Sequence, residues 1–257
     1  MKLYYIAVIG ALAIPAAMMH HPSADEVMTA AAVEADWAVS PGINNTVPAP
    51  WTLPHEKLKA MFAADRLGGY CGLTAEFVAQ RLRQSGYDAF SINYGIPGGD
   101  ITHVTTILHQ DGKFYLMDPT FAATLRHRGI PVDIFEALAG HPYELHQGDT
   151  SGRDWLVHAS DLESKRARGV ELEDCKPIAA IGGIDTLKCH IRRYDVRAYV
   201  ATMLAPLMTA GLPADNRILI ELMRKGLFGV GIVASTETRD AFLNRWRAAG
   251  LPIHGNP

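Results

Sequence analysis

Two runs of β-forming residues, ITHVTTIL and KFYLMD, stand on either side of the tetrapeptide HQDG. Asp-Gly between such runs is a strong hairpin signal, because a tight two-residue turn needs positive φ at both central positions. The turn sets the pairing. A two-residue Asp111-Gly112 turn pairs Gln110 with Lys113, so His103 faces Thr120 and has Asp118 as its diagonal neighbour. A four-residue HQDG loop brings His103 directly opposite Asp118. Either even-length loop leaves the two side chains on one face and within reach of each other. A three-residue loop would put them on opposite faces.

Upstream lies GGYCGLTAEFVAQRLRQSGY. Ala75, Val78, Ala79 and Leu82 fall at helical spacing and form one apolar stripe. Gly68-Gly69 stops the preceding segment, HEKLKAMFAAD, which has helical composition, and Gly86 ends the second helix. Cys71 therefore stands at or just before the first turn of a helix. There the free N–H groups and the local dipole favour a thiolate.

A cysteine nucleophile needs an accessible thiolate, a base, and a group that orients the base. His103 is placed to act as base and then as acid, and Asp118 to fix its tautomer and stabilise the imidazolium. His109, His127, His141, His146 and His158 compete for the base role, but no register argument places them. The Cys71 backbone N–H is one expected oxyanion donor. Tyr70 is a candidate second donor, and Trp51 either lines the cleft or belongs to the core.

The first residues, MKLYYIAVIGALAIPAAMM, carry one lysine and then an apolar run from Leu3 to Met19. The run is short against the about 20 residues of a spanning helix. It has the layout of a secretory signal, with a cut after Ala17 or Ala24, or else of an uncleaved anchor over residues 1–24. The chain is accordingly expected to be exported, periplasmic or secreted, with membrane contact only through such an anchor. Residues 25–54 include Pro41, Pro48, Pro50 and Pro54 and read as an extended lead-in. Of the three cysteines, Cys175 and Cys189 flank KPIAAIGGIDTLK, which reads as a glycine-containing loop, and are expected to close a disulfide, leaving Cys71 free. Such a closure is worth roughly 3 kcal/mol in the chain-entropy model. No second close-spaced ligand pair accompanies Cys189 and His190, so no zinc site is expected.

A net charge of −3 over 257 residues gives no sign of a nucleic-acid partner. Lys165, Arg166 and Arg168 read as a solvated helix face. Beyond residue 128 the pattern reads as mostly helical. Short helices are expected in GIPVDIFEALAG and RDWLVHASDLESKRARG, and longer ones over 195–210, 214–225 and 237–249, with turn residues around 226–231.

The stretches GGYCGLTAEFVAQRLRQSGYDA and THVTTILHQDGKFYLMDPTF together resemble the transglutaminase-like core. The matching positions are Gly69, Cys71, Gly72 and Ala75, then His103, then Asp118-Pro119-Thr120. Val104 after the histidine and Leu73 after Cys-Gly differ from the family's usual residues. The resemblance covers about residues 55–125 and implies an α+β, papain-like fold, with the cysteine helix packed on an antiparallel sheet and a helical extension over 129–257. It implies thiol chemistry on the amides of a peptide or protein, by hydrolysis or acyl transfer, with no metal or organic cofactor. RLGGYC also resembles the arylamine N-acetyltransferases, which implies acetyl-CoA as donor. A third possibility is a catalytically silent module that binds a peptide or wall polymer.

Overall fold

The computed structural model describes residues 22–28, 53–54, 56–57, 60, 71–98, 102–120, 123–147, 154–167, 170–181, 184–194 and 217–255. They form a mixed α+β protein. Helix α1, Cys71–Gln84, leads into strand β1, Asp88–Gly95. Gly86 (φ 85°) ends α1: its N–H donates to Arg83 O, and the N–H of Tyr87 donates to Leu82 O. This pair of bonds is the glycine-terminated helix stop that the sequence signals.

Strand β2, Thr102–Gln110, and strand β3, Lys113–Asp118, form the expected hairpin. Asp111 and Gly112 take φ values of 52° and 73°, and Gln110 pairs with Lys113. The two-residue turn is therefore the one realised. Strands β4, Ala123–His127, and β5, Ile130–Pro131, continue the sheet, and β6, Glu144–Gln147, pairs with β4. All pairings in this sheet are antiparallel.

Both faces of the hairpin are covered, which explains why β2 is buried at most positions instead of alternating cleanly. On one face, Leu73, Phe77, Val78 and Leu82 of α1 pack on Ala89, Leu108 and Met117. On the other face, Phe90, Ile92, Ile107 and Phe114 meet residues from further along the chain. Phe242 sits at the centre, with its ring 5.2 Å from that of Phe90, 5.3 Å from Phe114 and 5.6 Å from Phe135.

Residues 24–28 are helical, where the sequence suggested an extended lead-in. Ser23 and Glu26 cap this short helix reciprocally: Ser23 N–H donates to Glu26 Oε2 at 2.7 Å, and Glu26 N–H to Ser23 Oγ at 3.3 Å. Val27 and Met28 are buried beside α1, Gln110 Nε2 donates to Pro22 O at 2.6 Å, and Asp25 pairs with Arg126 at 2.5 Å. Of the two expected cut sites, the one after Ala24 falls inside this helix.

The described residues beyond 128 are not mostly helical. Helix α2 (Ile134–Leu138) and helix α3 (Leu162–Ala167) lie where short helices were expected. Between them, however, Asp154–His158 is strand β7. The segment expected to loop between Cys175 and Cys189 is a hairpin of β8, Val170–Ile181, and β9, Ile184–Tyr194. These strands form a three-stranded antiparallel sheet in the order β7-β9-β8. The reason is a period of two: Val170 and Leu172 are buried between exposed Glu171 and Glu173, and Cys189 and Ile191 are buried while Arg192 is exposed.

Helix α4 (Ile218–Lys225) and helix α5 (Thr236–Ala248) match the described parts of two expected helices, and the helix expected over 195–210 lies outside the described residues. Between α4 and α5, where turn residues were expected, β10, Leu227–Val230, pairs with β1 and extends the main sheet. Among the described residues, no helix is long and apolar enough to cross a membrane.

Candidate active site

Cys71 is the first residue of α1. Its thiol is free and half-buried. Gly72 lies against β2, where an added Cβ would come 3.8 Å from Val104 Cγ2. Thr106 Oγ1 donates to Ala75 O at 2.7 Å, which ties the second turn of the same helix to the same strand. The helix thus covers the face of β2 that carries Val104, Thr106 and Leu108. His103 alternates to the other face and meets Cys71 at the end of the strand.

The register of the β2–β3 hairpin, in which Thr106 pairs with Met117, makes Asp118 the diagonal neighbour of His103. His103 Nε2 and Asp118 Oδ2 are 2.6 Å apart, and both residues are buried. With Nε2 engaged by the carboxylate, Nδ1 is the ring nitrogen left for the thiol, and His103 is hydrogen-bonded to Cys71. The histidine therefore bridges acid and thiol, as a triad requires.

Electrostatics favour the charged pair. Burial alone would push the Cys71 thiol up, but the His103 hydrogen bond and charge, with the Val104 N–H, outweigh it and hold the thiol below its ordinary value. Burial would likewise lower His103, but the charge and hydrogen bond of Asp118, followed by those of Cys71, raise it to about 10. At neutral pH the arrangement favours a thiolate beside an imidazolium.

The surrounding residues brace this geometry. Thr74 Oγ1 donates to Cys71 O at 2.9 Å and lies 3.3 Å from Thr120 Oγ1. Tyr94 pairs with His103 across β1 and β2 and meets its ring edge to face. Farther along α1, buried Glu76 pairs with Arg83 at 2.5 Å and accepts from Ser91 Oγ at 3.1 Å. Arg83 also donates to Ala89 O and to Ile232 O, each at 2.9 Å. The helix that carries the cysteine is thus stapled to the central sheet and to the segment after β10.

His103 and Asp118 come together as the hairpin register predicts, and Cys71, expected at the start of the helix, joins them. Tyr70 and Trp51 lie outside the described residues. Of the competing histidines, His109 is six residues from His103 along β2, about 20 Å away at strand spacing. It pairs with Asp88 and stacks on Phe114. His146 is held in β6, opposite Thr124 of β4. Sequence reasoning missed Tyr94, Thr74, Glu76 and Arg83. Tyr94 becomes visible only once β1 is known to pair with β2 across the IPGGD segment.

Cys175 and Cys189 form the expected disulfide, with Cα atoms 4.0 Å apart on paired strands, and the bond is compatible with an exported protein. Compared with protein-family models, with curated proteins and with solved structures, the chain matches none, and its chemistry is read from Cys71, His103 and Asp118 themselves.

Proposed function

We propose that the protein is an exported thiol enzyme that cleaves or transfers at amide bonds of a peptide or protein through a thioester on Cys71. One observation carries this reading: the His103 ring meets Asp118 at 2.6 Å through Nε2 and is also hydrogen-bonded to the thiol of Cys71, at the start of a helix. A buried histidine with only a structural role has no need of both partners.

Cys71 Sγ attacks the carbonyl carbon, and the carbonyl electrons move onto oxygen. As the intermediate collapses, the C–N bond breaks and the amine takes a proton from the His103 imidazolium. Neutral His103 then removes a proton from water or from a second amine, which attacks the thioester and restores Cys71. Asp118 stays ionised and holds the ring in the tautomer that faces sulfur. The order of a cysteine helix followed by two antiparallel strands bearing His and Asp supports a transglutaminase-like, papain-like core, and the disulfide supports export.

The test is the rate of Cys71 alkylation by iodoacetamide against pH, in the unsubstituted chain and in His103→Ala. Rapid reaction near pH 6 that collapses in the variant supports the reading. A slow rate that rises only near about pH 8.5 in both, as for an ordinary thiol, removes it.

A further inference from the structure

Tyr94 is fully buried, and its hydroxyl has no hydrogen-bond partner among the described residues. An orphan hydroxyl in an interior costs about 1–3 kcal/mol. Phenylalanine would fill the same space without that cost.

The position of the hydroxyl suggests its use. Tyr94 and His103 are directly paired, so their side chains share one face of the sheet. The rings meet at 86° with centroids 5.7 Å apart. Burial first, then the negative charges of Asp118 and Cys71, hold the phenol well above its ordinary pKa. The group is therefore a neutral O–H donor placed within electrostatic range of the sulfur. Cys71 itself opens a 14-residue helix whose first N–H groups have no partner within the helix.

We propose that the Tyr94 hydroxyl donates a hydrogen bond to the carbonyl oxygen of the acyl group as that oxygen becomes negative, which makes Tyr94 a catalytic residue of this site. The inference rests on the thiol-enzyme reading above. In the step, the Cys71 Sγ–carbon bond forms and the C=O π pair moves to oxygen, which accepts from Tyr94 and from the free N–H at the helix start. The pair returns when the C–N bond breaks, and the amine leaves with the proton of His103. Tyr94 is neither ionised nor consumed. A donor with no bond to break beforehand is preorganised for the charge that develops.

Two probes test this on the full chain. Iodoacetamide alkylates sulfur by displacement at a saturated carbon and forms no oxyanion, whereas p-nitrophenyl acetate acylates it through a tetrahedral oxyanion. Tyr94→Phe is expected to keep its alkylation rate and pH profile within about twofold of the unsubstituted chain, while acylation falls about a hundredfold. Its melting temperature should equal or exceed that of the unsubstituted chain, because the orphan group is gone.

Equal acylation in both proteins overturns the role of Tyr94 and leaves the thiol pair standing. Joint loss of alkylation and acylation, with the alkylation profile moved toward that of an ordinary thiol, also overturns it, since Tyr94 would then act on the pair itself. If the unsubstituted chain alkylates only near about pH 8.5, the thiol-enzyme reading has failed, and this proposal fails with it.

Discussion

Thr74 Oγ1 stands 3.3 Å from Thr120 Oγ1, and this contact joins the helix that carries Cys71 to the turn after Asp118. Thr74 spends its proton on Cys71 O, so Thr120 is the donor between the two hydroxyls. Both threonines are buried. Thr120→Val removes the donor while keeping the shape, and should cost about 1 kcal/mol of stability. Misplacing reacting groups by an ångström costs up to about a hundredfold. Alkylation of Cys71 at pH 6 should therefore fall between about tenfold and a hundredfold, and Thr120→Ser should restore it. Unchanged alkylation in the valine variant would show that the contact serves the fold alone.

The pH dependence follows from the directions of the two shifts. The Cys71 thiol lies below its ordinary value, so thiolate persists to lower pH than in a free cysteine. The His103 imidazolium keeps its proton up to about 10. Acylation should fall on the acid side as the thiolate is protonated, and on the alkaline side as pH passes about 10 and the imidazolium loses its proton. In His103→Ala the burial of the sulfur remains without its partner, so the alkylation midpoint should rise above the ordinary thiol value of about 8.5. A midpoint unmoved by the substitution would contradict the pair.

Asp118→Asn keeps the size of the side chain and removes its charge. The imidazolium loses the group that raises it most, and the ring loses the acceptor that sets its tautomer. Turnover should drop by about 10³- to 10⁴-fold, as in other triads that lose their acid. Direct measurement of the His103 titration by NMR should show its pKa well below that of the unsubstituted chain.

The ion pair of Glu76 and Arg83 predicts an asymmetry between single and double variants. Arg83→Ala leaves the Glu76 carboxylate buried with Ser91 as its one donor among the described residues, and should cost about 3 kcal/mol. Replacing both by leucine removes the uncompensated charge and should cost less than the single change. Thermal unfolding of the three proteins decides this, and a double variant worse than Arg83→Ala would count against it.

Native, unreduced protein should take up one alkyl group, at Cys71, and reduced, unfolded protein three, read by intact mass. Reduction should lower stability by roughly 3 kcal/mol as the clasp on the β8–β9 hairpin opens.

The hairpin and the cysteine helix were legible because their signals are local. Asp111-Gly112 signals a tight turn and Gly86 a helix stop, and either even-length loop puts His103 and Asp118 on one face, so their meeting followed from counting. The second half was misread where the signal was a weak alternation broken by irregular pairing. Strands β8 and β9 shift register between Glu171 and Leu172, between Glu173 and Lys176, and between Ile178 and Ile181. Strand β10 has four residues with a glycine inside, and as a strand it depends on the edge of β1. Tyr94 was out of reach for the same reason: its partner is set by pairing across the IPGGD segment, where the sequence offers no turn of fixed length to count from.

The join between β1 and β10 also sets an order in time. Ile92 pairs with Val230, which follows it by 138 residues, and Phe242 closes the core later still. A chain that emerges from its N-terminus will have made Cys71, His103 and Asp118 long before the residues that complete their sheet. Contacts of such long separation form late in folding. During synthesis the Cys71 thiol thus sits in an unfinished sheet, and the setting that lowers it is complete only when Phe242 of α5 has docked.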